Sequence, residues 1–324
     1  MTETRTRVVS TLTRAYRLGL LVLSAPIVLG EFFDADTGAD YGVAFTTKCR
    51  LVARMFWNNL RLPTGSSFVE HLVVATKILQ IPPDEEGVVV ECGCYLGGST
   101  ANLSLAAGLC DRPLVVFDSF EGMPEPDEAD EAHVLLQSEQ VHTYEAGSWH
   151  GSLSDVRRNV ARYGDLDACE FEKGYFEETL PAFDRPVALA FLDVGLRGSA
   201  ETCLEELWPR LRPEGYLFTH DVKHMEISSL FFDQQWWRDH LGRDAPGLVG
   251  AGSGVGLHPQ RNGFGSLLGY VVKDPPLDSF ETVEERGAGA YGDEMLGGNG
   301  DEMLSGNGDE MLGAADGSDA SAGE

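Results

Sequence analysis

The chain has 324 residues, 43% of them hydrophobic, which is enough for a buried core and fits one large domain or two ordinary ones. Its 52 acidic residues against 24 basic ones leave a formal charge of −28. That balance excludes nucleic acid as a main partner, because phosphate binding needs clustered Lys and Arg, and the composition excludes collagen-like, coiled-coil and wholly disordered chains. Only five of the basic residues are Lys (Lys48, Lys77, Lys173, Lys223 and Lys273). Two readings fit: an ordinary acidic protein with a solvated, self-repelling surface, or a halophile's cytoplasmic protein adapted to salt. Six cysteines with no C-x-x-C spacing and no cleavable signal peptide favour a reducing cytoplasm over a disulfide framework.

In chain order, residues 1–80 read as a mainly helical N-terminal cap or dimerisation region. Within it, residues 18–30 (LGLLVLSAPIVLG) are apolar and follow Arg14 and Arg17. The stretch is shorter than the roughly 20 residues that span a bilayer and contains Pro26. It reads either as a helix packed on the domain or on a second subunit of a homo-oligomer, or as a peripheral membrane contact. Residues 81–286 alternate strands and helices: strand 88–91, helix 99–109, strand 114–118, helix 153–163, strand 169–171, strand 187–193, helix 200–211 stopped by Pro213, strand 216–219, helix 231–241 and strand 267–272. Strand 187–193 (VALAFLD) is apolar almost throughout, as expected of one covered on both faces. This alternation predicts an α/β class fold, a doubly wound Rossmann-like sheet with right-handed crossovers. Residues 287–324 carry nine acids, no base and the motif DEML at Asp293, Asp301 and Asp309. They bury too little to offset chain entropy and read as a disordered acidic tail.

In such sheets ligands bind beyond the carboxyl ends of the strands, where the order reverses. Here those ends carry Glu91, Asp118, Asp193 and the pair His220-Asp221. The first turn runs Glu91-Cys92-Gly93-Cys94-Tyr95-Leu96-Gly97-Gly98-Ser99-Thr100, with Gly93 and Gly97 allowing close backbone approach to a ligand. It is not G-x-G-x-x-G, and Cys94 and Tyr95 crowd the place of a pyrophosphate, so a phosphate-free nucleoside fits better; tight packing alone is the plain alternative. Asp118 is placed to accept hydrogen bonds from ribose hydroxyls. Trp149, Trp236 and Trp237 read as walls for a flat acceptor or as packing. The run 249–256 (VGAGSGVG) reads as a loop by the acceptor mouth.

The blocks VVECGCYLGGSTANLSL, VVFDSFEGMPEPDE, DVRRNVARYG, FEKGYFEETLP and FLDVGLRGSAETCLEELWPRLRPEGYLFTHD, spread over roughly residues 85–225, resemble the macrocin and mycinamicin type of O-methyltransferase. These are class I enzymes that use S-adenosylmethionine (SAM) on sugar hydroxyls of natural products. The resemblance implies that Glu91 and Gly93, with Tyr95 and Gly97 in the same turn, line the methionine part of SAM. It likewise implies that Asp118 and Ser119 hold the ribose and that Gly174, Tyr175 and Phe176 lie near the adenine. It also implies a divalent-metal position at Asp193. The family's second acid after that strand is absent from Leu192-Asp193-Val194-Gly195, and its paired aspartates are here His220-Asp221. Three outcomes stay open for Asp193, His220 and Asp221: retained Mg²⁺, a transition metal suited to imidazole, or no metal.

Methyl transfer needs in-line alignment, exclusion of water and removal of the acceptor's proton. The candidate bases are His142, His150, His220 and His224, with His142 near the family's catalytic histidine and Asp193 and His220 beside the reacting hydroxyl. The leading expectation is a cytoplasmic SAM-dependent O-methyltransferase acting on a small-molecule acceptor, polyhydroxylated or glycosylated. A catalytically degenerate SAM-fold binding or scaffold protein, or a nucleotide-dependent oxidoreductase, are the alternatives.

Overall fold

The computed structural model describes residues 29–126, 144–222, 224–250 and 268–275, the backbone of residues 133–134 and 141–142, and four isolated helical positions, Leu12, Tyr16, Gly19 and Leu23. The expected acidic tail, residues 251–256 of the glycine-rich run and most of the apolar stretch 18–30 lie outside the described residues. Among the described residues no helix is long and apolar enough to cross a membrane.

Two helices precede the first strand. Helix α1 (Phe45–Arg61) buries Lys48, Leu51, Met55 and Asn58, a single stripe at helical spacing. The buried Lys48 ammonium is satisfied by donating to the Asp34 carbonyl at 2.6 Å. Helix α2 (Phe68–Leu79) is buried nearly all round and packs between α1 and α3 (Gly98–Leu109). It opens with a capping box: Ser67 Oγ accepts from the Glu70 N–H, and the Ser67 N–H donates to Glu70 Oε2 at 2.8 Å.

The remaining elements are β1 (Val88–Cys92), β2 (Leu114–Asp118), the short ribbon β3 (His133–Val134) and β4 (Val141–His142), α4 (Leu153–Tyr163), β5 (Cys169–Lys173), α5 (Phe176–Thr179), β6 (Val187–Leu192), α6 (Arg197–Leu207), β7 (Leu211–Thr219), α7 (Met225–Leu230), α8 (Gln234–Leu241) and β8 (Gly269–Val272). Six strands form one sheet in the order β5-β2-β1-β6-β7-β8. All neighbours are parallel except β7 and β8. The order reverses between β1 and β6, so the expected doubly wound α/β architecture is present and its switch point lies at the tips of these two strands.

Both central strands are buried at every position. Their alternation divides the core in two. Val89, Leu189 and Phe191 face one side, with Leu72 and Leu103 from α2 and α3. Val88, Val90 and Leu192 face the other, with Leu204 from α6 and Trp237 from α8. Each such side chain stabilises the fold by about 1.5–3 kcal/mol relative to exposure, so the residues preceding the sheet share its core.

Three elements differ from the sequence reading. Helix α6 ends at Leu207, and Pro213 lies inside β7, not beyond a helix. The β6–β7 pairing shifts register between Val187 and Leu189, and Glu214 adopts φ 60° there; a proline is tolerated at such a bulge because no ladder N–H is needed. The expected helix 231–241 begins later, as α8 at Gln234, where Asp233 caps it by accepting from the Trp236 N–H, and a separate short helix, α7, precedes it.

Candidate active site

A cleft of about 900 Å³, open to solvent, lies over the switch point and is lined by the tips of β1, β2 and β6 together with segments from the cap and the region after β2.

Its floor is the first turn. Gly93 (φ 85°) donates its N–H to the Phe117 carbonyl, while the Asp193 N–H bonds the Cys92 carbonyl. A Cβ on Gly93 would lie 2.1 Å from the Asp193 carbonyl oxygen, and one on Gly97 (φ 79°) 3.1 Å from a Val156 methyl. The chain itself approaches both glycines, at the residue after β6 and at α4, and Gly93 also lines the cleft.

Asp118 stands on the cleft wall. Its Oδ2 accepts from the Cys94 N–H at 2.8 Å and its Oδ1 from the Phe120 N–H at 2.7 Å, which locks the carboxylate in place while each oxygen keeps a further lone pair. Ser119 lines the cleft too, but its hydroxyl donates to the Gly122 carbonyl at 2.7 Å and closes its own loop. Tyr175 and Phe176 form the wall beyond it. Gly174 supports them from behind, donating its N–H to the Asp118 carbonyl.

Glu91 is fully buried and is not among the lining residues. Its carboxyl oxygens reach no partner at hydrogen-bonding geometry. Burial pushes its acidity up to about 8; the Ser99 and Thr100 hydroxyls nearby oppose this, and the charges of Asp193 and Asp118 add to it. Glu91, expected to contact the ligand, lies as a neutral buried acid behind the cleft lining to which its neighbours Gly93 and Tyr95 belong.

Across the cleft, Asp193 projects from the tip of β6. Its Oδ1 is 3.3 Å from His220 Nδ1, and His220 Nε2 is 3.5 Å from Glu70 Oε2. His220 and Glu70 are each 1% exposed. Burial is the largest influence on His220 and disfavours its charged ring, yet the two carboxylates outweigh it and lift the imidazole to about 10. Asp221 Oδ2 accepts from the N–H groups of Val194 and Gly195 at 2.8 and 2.9 Å, pinning the loop after β6. Tyr144, whose ring lies close to Gly195 in the loop after β6, also lines the cleft and is hydrogen-bonded through its hydroxyl to His224 Nε2 at 2.9 Å.

A second buried network reaches the cleft from the cap. Asn58 donates to Asn102 Oδ1 at 2.8 Å, Asn102 Nδ2 faces His71 Nδ1 at 2.8 Å, and His71 Nε2 meets Ser66 Oγ at 2.6 Å, beside the lining residue Thr64. The amide fixes the tautomer with Nε2–H donating to the serine. Burial lowers His71 to about 4, so its ring is neutral.

Tyr95 and Trp149 both line the cleft, both hold φ above +50° (51° and 56°), and their rings meet edge to face at 5.2 Å. Left-handed backbone costs a non-glycine residue about 1–2 kcal/mol, and two such residues in contact at one rim mark a shaped aromatic wall. Trp236 and Trp237, the other expected walls, are core side chains, and Trp237 Nε1 donates to the Leu230 carbonyl. His150 is exposed and is not among the lining residues. The backbone of His142 pairs with His133 in the β3–β4 ribbon; its side chain lies outside the described residues.

The structure shows no metal site at the expected set Asp193, His220 and Asp221. Among the described residues no group of three His, Cys, Asp or Glu side chains is arranged to hold one. The ring nitrogens of His220 face carboxylates, and Asp221 Oδ2 is committed to two backbone N–H groups. Sequence reasoning missed Glu70, His71 and Tyr144. The S-x-x-E spacing of Ser67 and Glu70 announces a helix cap, and nothing local announces that the same carboxylate meets a strand tip 150 residues on.

A family model described as Macrocin-O-methyltransferase (TylF) matches residues 64–242. An 8-demethyl-8-(2,3-dimethoxy-alpha-L-rhamnosyl)-tetracenomycin-C 4'-O-methyltransferase from Streptomyces olivaceus is 37% identical over 140 residues, 42% of this chain and 52% of that one. A mycinamicin III 3''-O-methyltransferase from Micromonospora griseorubida is 34% identical over 142 residues, 42% of this chain and 55% of that one. The matches thus span about half the length of these relatives. A solved structure, the O-methyltransferase NovP, aligns with a TM-score of 0.49 at 20% identity, covering 64% of this chain and 80% of that one.

Proposed function

The chain belongs to the macrocin-O-methyltransferase family, and on that premise we propose that its cleft binds SAM and directs the methyl group to a hydroxyl of a small polyhydroxylated or glycosylated acceptor. The observation that carries this reading is that two carboxylates on different strand tips, Asp118 and Asp193, open into one cavity across the switch point. The fit for SAM rests on the same cavity: a locked carboxylate for a ribose at β2, no cradle for phosphates in the first turn, and a neutral carboxyl under the floor.

When bound, SAM supplies a methyl group made electrophilic by its sulfonium. Asp118 accepts hydrogen bonds from the ribose hydroxyls, and Tyr175 and Phe176 cover the base. Asp193 would receive the acceptor hydroxyl and take its proton as the methyl group is transferred. Tyr144 and Trp149 bound the acceptor side and exclude water. Alignment of this kind supplies much of the acceleration of a methyl transfer.

The test is transfer of labelled methyl from SAM across a panel of glycosylated and polyhydroxylated compounds. Labelled ether formation that is lost in Asp193→Asn with unchanged affinity for S-adenosylhomocysteine supports the reading. Binding of S-adenosylhomocysteine without turnover of any acceptor contradicts it in favour of a binding protein. His142 is the rival base: full loss in His142→Ala beside an active Asp193→Asn moves the proton to His142.

A further inference from the structure

We infer that Thr64 is a hydrogen-bond donor to the ligand of this cleft, and that His71, itself closed off from the cleft, positions it: a one-way chain of hydrogen bonds running in from the cap leaves the Thr64 hydroxyl hydrogen for the carboxylate at the amino-acid end of SAM. The inference rests on the methyltransferase reading for the identity of the ligand and on geometry for the direction of the chain.

The direction is set at the far end, by a backbone carbonyl. A carbonyl only accepts, so the Asn58 atom that lies 2.9 Å from the Tyr163 oxygen is the amide nitrogen. The same nitrogen lies 2.8 Å from Asn102, which therefore turns its oxygen to Asn58 and its nitrogen to His71 Nδ1, at 2.8 Å. Nδ1 accepts, so the ring hydrogen sits on Nε2 and is donated to Ser66 Oγ at 2.6 Å. Ser66 is buried, and the acceptor that its own hydroxyl reaches is Thr64 Oγ1 at 3.2 Å. The Ser66 N–H donates to that oxygen too, at 3.3 Å. Both lone pairs of the threonine oxygen are then engaged from inside the chain, and its hydrogen is left for a group outside it.

Asn58, His71, Asn102 and Ser66 are all buried. Reversing any one of them orphans a buried polar atom at about 1–3 kcal/mol, so the cap fixes the polarity of the whole chain. Thr64 is half-buried and lines the cleft. It stands at the start of α3, its Oγ1 3.3 Å from where a Cβ on Gly98 would lie, and not at the tip of β2, where Asp118 takes the ribose. At the amino-acid end of SAM the ammonium only donates and the carboxylate only accepts. A lone O–H donor is matched by the carboxylate. Thr64 is thus a binding residue, and His71 and Ser66 are positioning residues that act through it.

The experiment compares S-adenosylhomocysteine with 5′-methylthioadenosine, which keeps the nucleoside and thioether and lacks the amino-acid end, by calorimetry on the full chain. Thr64→Val has nearly the same shape without the hydroxyl. It is expected to bind S-adenosylhomocysteine about tenfold more weakly, about 1.4 kcal/mol, and methylthioadenosine as the unmodified chain does. Ser66→Ala cuts the chain between His71 and Thr64; it is expected to show the same selective loss and to add nothing to Thr64→Val in the double variant. Equal losses for the two ligands show a merely structural role, and unchanged affinity for both shows none; either overturns the inference. A nitrogen NMR spectrum of the His71 ring in the unmodified chain reads the direction without any variant. Hydrogen on Nε2 at neutral pH supports the chain as drawn, and hydrogen on Nδ1 overturns it. Failure of the unmodified chain to bind either ligand overturns the methyltransferase reading and the assignment of Thr64 to the carboxylate, whereas binding of S-adenosylhomocysteine that ignores Thr64→Val overturns the inference alone.

Discussion

Replacing Glu91 with glutamine probes the acid beneath the cleft in a way that contact arguments do not. The carboxyl is fully buried, and burial holds it near 8 instead of 4.5. A group whose folded-state value is raised contributes stability that is complete below the unfolded value and is lost as pH rises through the folded one. The window is therefore about pH 4.5 to 8, and the whole shift of about 3.5 units corresponds to about 5 kcal/mol at about 1.4 kcal/mol per unit. Between about pH 6 and about pH 8 the unmodified chain should lose about 2 kcal/mol that Glu91→Gln does not lose. The amide has nearly the same shape, carries no charge and does not titrate. The assay is urea unfolding of both proteins across that range, read as the difference in unfolding free energy, so that every other titrating group cancels. A difference that stays flat with pH refutes the claim that this carboxyl is buried and protonated.

Gly93→Ala is expected to cost about 2–5 kcal/mol, because a Cβ meets the Asp193 carbonyl oxygen at 2.1 Å and φ is 85°; denaturant unfolding checks it, and a loss under about 0.5 kcal/mol contradicts the packing assigned to the first turn. Trp149→Ala should raise the KM for the acceptor about tenfold while leaving S-adenosylhomocysteine affinity unchanged; calorimetry beside steady-state kinetics separates the two, and an unaltered KM removes Trp149 from the acceptor wall. His71→Leu strands the Asn102 and Ser66 groups that His71 joins, at about 2–4 kcal/mol at neutral pH. The stability from the neutral ring is full above its unfolded value of 6.5 and is lost as pH falls through about 4. The cost of His71→Leu should therefore shrink by about 3 kcal/mol in acid, and an equal cost at both pH values contradicts a neutral ring.

The sheet was legible because its strands are local patterns. Val88–Cys92, Leu114–Asp118 and Val187–Leu192 are short apolar runs closed by turns or acids, and such runs have few ways to be buried other than as central strands. The helix 153–163 was legible from Ser152, Asp155 and the stripe of Val156 and Val160. Pro213 misled because a proline stops a helix by a local rule, whereas its tolerance inside β7 depends on a bulge that only the partner strand reveals. The site divides in the same way. Asp118 and Asp193 sit at strand ends, where the topology alone makes them neighbours of a ligand. Glu70 and His71 belong to a helix whose neighbours are set by tertiary packing, and Tyr144 meets His224 across 80 positions of chain. Gly93 and Gly97 were legible as glycines that something must approach, and the pattern did not say that the chain itself does so, at the residue after β6 and at α4.

The most direct measurement is a crystal structure of the chain with S-adenosylhomocysteine. The account predicts ribose hydroxyls on the Asp118 carboxylate, the thioether sulfur directed toward the side of the cleft that carries Asp193, and an imidazole still seated between Asp193 and Glu70. A ligand that leaves Asp118 uncontacted, or one that binds away from the tips of β1 and β6, contradicts it.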